Sequence, residues 1–244
     1  EGFNTFIDLY AAADYFRGTP YADSVMNGPL TAYPANARPG DEQPLITAPT
    51  EVRTLYWNGY QKPALMMRLL REEVLGPEGF DRAFREYVRR WAYRHPQPAD
   101  FFRTMENVSG RDLDWYWRGW VYTTARLDQA IDSVTAPPPA PGRTDGRTVG
   151  APLAGTVRIV LSNRREMVMP AELRLTYDDG SSETRRLPVE IWNLGGRFSL
   201  TVDQLGKRLV SAELDPRQVY PDVNRANNRW PAASQRQPAS RPSR

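Results

Sequence analysis

Two side chains are the first candidates for chemistry: the carboxylate of Glu1 and the phenol of Tyr60. A glutamate carboxylate can ligate Zn2+ through oxygen. A neutral phenol donates an O–H bond at neutral pH, which suits it to stabilise an oxyanion as charge develops. Physical reasoning alone assigns them less: Glu1 reads as a solvated surface carboxylate and Tyr60 as an amphipathic aromatic at a helix start. Tyr56, one turn earlier, is the alternative phenol. The ligand inventory sets a firm limit. The sequence has no cysteine and one histidine, His95, whereas a zinc site takes about three protein ligands, so the chain cannot complete such a site by itself. His95 precedes Pro96, a position biased to extended backbone, and reads as part of a structural turn.

Other polar groups carry weaker signals. Arg126 and Asp128 follow the last expected helix and read as solvated surface groups. Asp222, Asn224, Asn227 and Asn228 lack the alternating ligands and terminal glutamate of a calcium loop and read as turn or capping residues. Asn107-Val108-Ser109 matches a glycosylation acceptor by pattern only, at an expected helix end. The net charge is +3, and Lys62 and Lys207 are the only lysines. The arginines are interleaved with Asp and Glu rather than gathered into a phosphate-binding stripe, which argues against a nucleic-acid partner. No run approaches the roughly 18 apolar residues of a membrane span, so no stable span is expected.

The elements that must position these groups divide the chain by composition. Residues 1–134 read as mostly helical. Phe3, Phe6, Ile7 and Tyr10 recur at helical spacing, residues 18–49 read as a long irregular connection, and helix resumes near Thr50 and runs to Gly76. A further helix after Pro77 carries Phe80, Phe84, Tyr87, Val88 and Trp91. Another runs from about Pro98 to Ser109-Gly110, and a last one holds Leu113, Trp115, Tyr116, Trp117 and Trp120. Residues 135–152 are a Pro/Gly-rich linker. Residues 153–230 show alternating strands near 156–161, 171–177, 184–192, 198–202 and 209–214, with Asp178-Asp179-Gly180 as a hairpin signal, and read as an antiparallel β-sandwich. Residues 231–244 have almost no apolar content and are expected to be disordered.

Three stretches together resemble the membrane alanyl aminopeptidase family of gluzincin zinc metallopeptidases. Glu1-Gly2-Phe3-Asn4-Thr5-Phe6 is similar to its E-G-F-x-T-F stretch. Tyr60-Gln61-Lys62-Pro63-Ala64-Leu65 is similar to its Y-x-K-G/P stretch. The series from Leu75-Gly76-Pro77 through Arg90-Trp91, His95-Pro96 and Asp100-Phe101-Phe102 to Trp115-Tyr116-Trp117 and Trp120 follows its helical half. The resemblance implies an α+β fold, the thermolysin-like helical half of a catalytic domain followed by a small antiparallel β-sandwich. It implies that Glu1 is the third zinc ligand, that Tyr60 is the catalytic oxyanion donor, and that peptide substrates lose their amino-terminal residue. In the family an H-E-x-x-H helix supplies two His ligands and the base, and a G-x-M-E-N loop binds the substrate amine; neither motif is in this sequence. The resemblance therefore implies a carboxy-terminal fragment whose partner is the missing amino-terminal half, with one Zn2+ ligand present and the two His ligands upstream. Such a chain is expected to bind zinc poorly alone, to be inactive alone, and to expose an apolar face where that half would pack. A periplasmic or secreted location is expected. The alternatives are a catalytically dead pseudo-peptidase and a helical and β-sandwich interaction scaffold.

Overall fold

Apolar side chains at helical spacing determine how the first half of the chain folds. In α1 (Gly2–Tyr15), Phe6 and Leu9 are buried, and the Phe6 ring meets that of Phe80 at 5.3 Å. Phe80 lies on α4 (Pro77–Trp91) with Ala83 and Tyr87 as its buried stripe. Val88, expected on that stripe, is exposed. Helix α3 (Lys62–Leu69) packs on α1, and its Ala64, Leu65, Met67 and Leu69 are all buried, as befits a helix with neighbours on several sides. Then α5 (Pro98–Ser109) starts where its signals place it. Pro98 opens the helix, Gln97 and Asp100 form a reciprocal capping box, and Gly110 closes it with φ 68°, the left-handed value that favours glycine. Short α6 (Asp114–Trp117) buries Tyr116 and Trp117.

The structure, a computed structural model, describes residues 1–38, 40–135, 155–203 and 206–231. They form two units, one of residues 1–126 with 219–221 and the other of residues 127–218 with 222 onward. Nearly all of the expected disordered tail and of the expected linker lies outside the described residues.

Two expectations for the helical unit are corrected. Residues 18–49 are not irregular throughout, because Pro20–Asn36 forms a helix, α2. Its prolines, which argue for a loop, are accommodated: Pro20 sits in the first turn, where its missing N–H costs nothing. Pro29 and Pro34 lie inside the helix, which buries Ala22, Pro29 and Tyr33. Arg68 Nη1 also donates to the Met26 carbonyl, 2.5 Å. Packing here overrides a local cost of about 3 kcal/mol per interior proline. Second, Thr50 does not start the next helix. Pro49–Glu51 is a single 3-10 turn, and regular structure resumes at Tyr56 as a π-helical turn, Tyr56–Gln61, that runs into α3.

The second unit is built of two antiparallel sheets. One has the order β1-β2-β5, from β1 (Gln129–Thr135), β2 (Thr156–Asn163) and β5 (Arg197–Asp203). The other has the order β4-β3-β6-β7, from β3 (Ala171–Tyr177), β4 (Ser182–Leu187), β6 (Leu209–Leu214) and β7 (Arg229–Trp230). Val157, Ile159 and Leu161 are buried while Thr156 and Arg158 are exposed, the alternation of a half-buried strand. The hairpin at 178–180 joins β3 to β4, with Gly180 at φ 81°. The strand expected over 184–192 stops at Leu187, because Pro188 cannot donate to a ladder, and Val189–Trp192 forms a 3-10 turn. Strand β1 runs through the boundary expected at residue 134: its residues pair with β2 rather than ending the helical unit.

Candidate functional site

Gly2 determines where Glu1 lies. A Cβ built on Gly2 would stand 2.5 Å from both Cβ and Cγ of Pro63 and 3.5 Å from the Gly59 carbonyl oxygen. No side chain fits that space, so the start of α1 lies directly on the segment that carries Tyr60. Glu1 occupies the N-cap position of α1 but makes no side-chain cap bond, and its carboxylate is exposed without a partner among the described residues. Thr5 N donates to its backbone carbonyl instead, 3.0 Å.

Tyr60 sits in the π-helical turn. The Lys62 N–H reaches back five residues to the Trp57 carbonyl, which widens the turn; such turns recur at functional sites. Tyr60 is half-buried, and its ring stacks on that of Tyr56 at 5.9 Å and 26°. The two phenols differ. Tyr56 is exposed and its hydroxyl accepts from Gln61 Nε2, 3.1 Å. The Tyr60 hydroxyl has no hydrogen-bond partner among the described residues. Sequence reasoning therefore selected two groups, Glu1 and Tyr60, that the fold carries on adjoining segments.

It did not foresee the buried polar groups on the inner side of the same turn. Lys62 is fully buried and forms an ion pair with buried Glu42, Nζ to Oε1 2.5 Å. Burial lowers the Lys62 ammonium pKa, while Glu42 opposes the shift. Asn58, also buried, donates from Nδ2 to the Gln43 carbonyl, 3.2 Å. Tyr33 packs its ring against Trp57 at 5.7 Å, and burial, with the nearby Glu42 charge, raises its phenol pKa. The lone signal in the sequence was Lys62, one of two lysines in an arginine-rich chain.

The residues present fit only part of a zinc site. Glu1 offers an uncommitted carboxylate, but His95 stands exposed in the turn between α4 and α5, and there is no cysteine. Among the described residues one acidic group brings three carboxylate oxygens within 4.8 Å, from Glu106, Asp112 and Asp114. These carboxylates serve a turn. Glu106 Oε1 accepts from Leu113 N, 3.2 Å, and Trp117 Nε1, 3.1 Å, and Asp112 Oδ1 accepts from Asp114 N, 3.0 Å. The other polar candidates are likewise engaged. Arg126 Nη2 donates to the Ala37 carbonyl. In the β unit Asp222 accepts from the backbone of Gln129, 2.9 Å, and Asn224, 2.8 Å, while Asn227 Nδ2 donates to Asp128 Oδ1, 2.7 Å.

Comparison with known proteins bears on the same half of the chain. Residues 1–120 match the model of the peptidase family M1 domain. No curated protein matches the chain. Among solved structures, the crystal structure of Legionella pneumophila aminopeptidase A in complex with aspartic acid is similar over 91% of this chain, with a TM-score of 0.53 and 16% sequence identity. At that identity the likeness is one of fold. The chain spans 23% of that protein's length.

Proposed function

We propose, from the match of residues 1–120 to the peptidase family M1 domain, that this chain is part of a zinc-dependent aminopeptidase, to which it contributes one metal ligand and one oxyanion donor. The observation that carries the reading is the seating of Gly2 on Pro63, which brings the Glu1 end of α1 against the turn of Tyr60. In this reading Glu1 is the zinc ligand supplied by the chain, and the remaining ligands come from a preceding segment with the two histidines this sequence lacks. When bound, zinc supplies a polarised water and Lewis-acid stabilisation of the scissile carbonyl.

Tyr60 has the properties of an oxyanion donor. Its hydroxyl is not spent on another protein group among the described residues, and its half-buried ring is held by Tyr56. A neutral phenol so placed donates where negative charge grows and adds no net charge of its own. The free carboxylate of Glu1 is likewise uncommitted to a cap, so its oxygens are available to a cation. Exposed Phe3, Ile7, Tyr15, Phe16 and Tyr21 support a partner surface of the kind a preceding half of the enzyme would cover. Peptides are the proposed substrates and a periplasmic or secreted location the proposed setting.

The test uses the enzyme expressed with the segment that precedes Glu1 in its reading frame. Tyr60→Phe is expected to lower kcat for an aminoacyl chromogenic substrate about 10²- to 10³-fold with zinc content retained, and Glu1→Gln to lower zinc content itself. Unchanged kcat in the first variant, or full zinc in the second, contradicts the assignment.

A further inference from the structure

Glu42 and Gln43 are consecutive residues, and each holds one side of the turn that carries Tyr60. Gln43 receives the Asn58 side-chain amide at its carbonyl, and Glu42 pairs with Lys62. Asn58 and Lys62 are two positions before and two positions after Tyr60. Both are buried, whereas Tyr60 is half-buried and Tyr56 exposed. Gln43 is itself anchored: its Oε1 accepts from Arg53 N, 2.7 Å, and its Nε2 donates to the Glu51 carbonyl, 3.0 Å. The result is a two-point grip from one irregular segment onto the inner face of a turn whose hydrogen bonds are wider than those of an α-helix.

We infer that Glu42 and Gln43 form a clamp that positions Tyr60, with Glu42–Lys62 as its main tie. The inference rests on the proposed role of Tyr60 and adds positioning residues that do not touch the reacting groups. The tie is strong because both charges are buried. Among the described residues, neither the Glu42 carboxylate nor the Lys62 ammonium has a hydrogen-bond partner outside the pair, so each depends on the 2.5 Å ion pair for its burial. Separating them would leave an isolated buried charge, and the turn therefore cannot drift without breaking the pair. A π-turn placed in the middle of a chain has a competing α-helical register available, reached by sliding one residue. That slide would reorient Tyr60, and it would pull both Asn58 and Lys62 off their partners.

Hydrogen exchange of the backbone amides in the chain itself is the deciding experiment, with no activity needed. Glu42→Gln is expected to speed exchange of the amides of residues 56–62 about tenfold or more relative to those of α5. Asn58→Ala, a milder cut that leaves the ion pair intact, is expected to act in the same direction and to a smaller extent. Asp100→Ala, which removes the side-chain acceptor of the α5 capping box, serves as the control and is expected to leave residues 56–62 unchanged relative to the rest. Exchange that rises equally in α5 and in residues 56–62 for both clamp variants overturns the inference, because it makes the pair a general contributor to stability. In the active enzyme Glu42→Gln is expected to lower kcat with KM little changed, and equal kcat overturns the positioning role. Absence of peptidase activity in the unaltered enzyme would remove the functional reading alone, since the exchange result is independent of it.

Discussion

Removing one oxygen atom, in Tyr116→Phe, tests how the helical unit is held together. The Tyr116 side chain is fully buried, and its hydroxyl donates to the Met66 carbonyl, 2.6 Å, tying α6 to α3 across 50 residues of sequence. That carbonyl also receives the Leu70 N–H, so the substitution orphans no acceptor and the cost is the net value of one hydrogen bond, about 1 kcal/mol. A second consequence follows from burial, which, with smaller help from Tyr220, raises the Tyr116 phenol pKa well above its ordinary value. A group with a raised folded pKa contributes stability that is complete below its unfolded pKa and is lost as pH rises toward the folded value. Tyrosine in the unfolded chain titrates near about 10, and at about pH 11 its ionisation stabilises the unfolded state by about 1.4 kcal/mol. Phenylalanine gains nothing there. The advantage of the native protein over the variant should therefore vanish near about pH 10.7 and reverse by about pH 11. Tyr10 and Tyr33, whose phenols are also raised by burial, cancel in the difference. Urea unfolding followed by tryptophan fluorescence at a series of pH values measures it, since Trp57, Trp91, Trp115, Trp117 and Trp120 all lie in the helical unit. A gap between native and variant that stays constant from neutral pH to about pH 11 would refute the reasoning.

On the acid side, Arg71 holds the Asp81 carboxyl pKa below its usual value through two hydrogen bonds, Nε to Oδ1 2.7 Å and Nη2 to Oδ2 3.0 Å. Its contribution is present above the ordinary carboxylate range and fades as pH falls through that range, so Asp81→Asn should flatten the acid limb of the stability curve, by about 1 kcal/mol after solvent screening. Gly76 joins α3 and its π-helical extension to α4 with φ 74° and ψ 154°, a combination that L side chains avoid. Gly76→Ala should lower stability by about 1–3 kcal/mol in thermal melts, although a Cβ there meets nothing within 4 Å; an unchanged melting temperature would rule out backbone strain as the cause.

The parts of the fold that were legible in the sequence are those whose local signals agree with their packing. Helix α5 carries its own start, its capping box and its glycine stop, and β3 carries a clean alternation into a glycine turn. Helix α2 was not legible because Pro29 and Pro34 each argue against helix locally and are overruled by burial of Ala22 and Tyr33, which no local window contains. Strand β1 was missed because its pairing lies with β2, beyond the Pro-rich stretch. At the candidate site, spacing and residue type selected Glu1 and Tyr60 only through resemblance, since neither has a physical signature of its own. Glu42 was invisible for a different reason: its significance comes from a pair formed across 20 residues and from complete burial, and an acidic residue in a polar segment gives no hint of either.

The most direct test of the central assignment is the single-turnover rate of Tyr60→Phe in zinc-loaded enzyme that includes the segment before Glu1. The hydroxyl has no partner among the described residues, so its loss should leave the melting temperature and zinc content unchanged while the rate falls about 10²- to 10³-fold. A rate within a few-fold of the unaltered enzyme, at equal zinc content, would contradict the account.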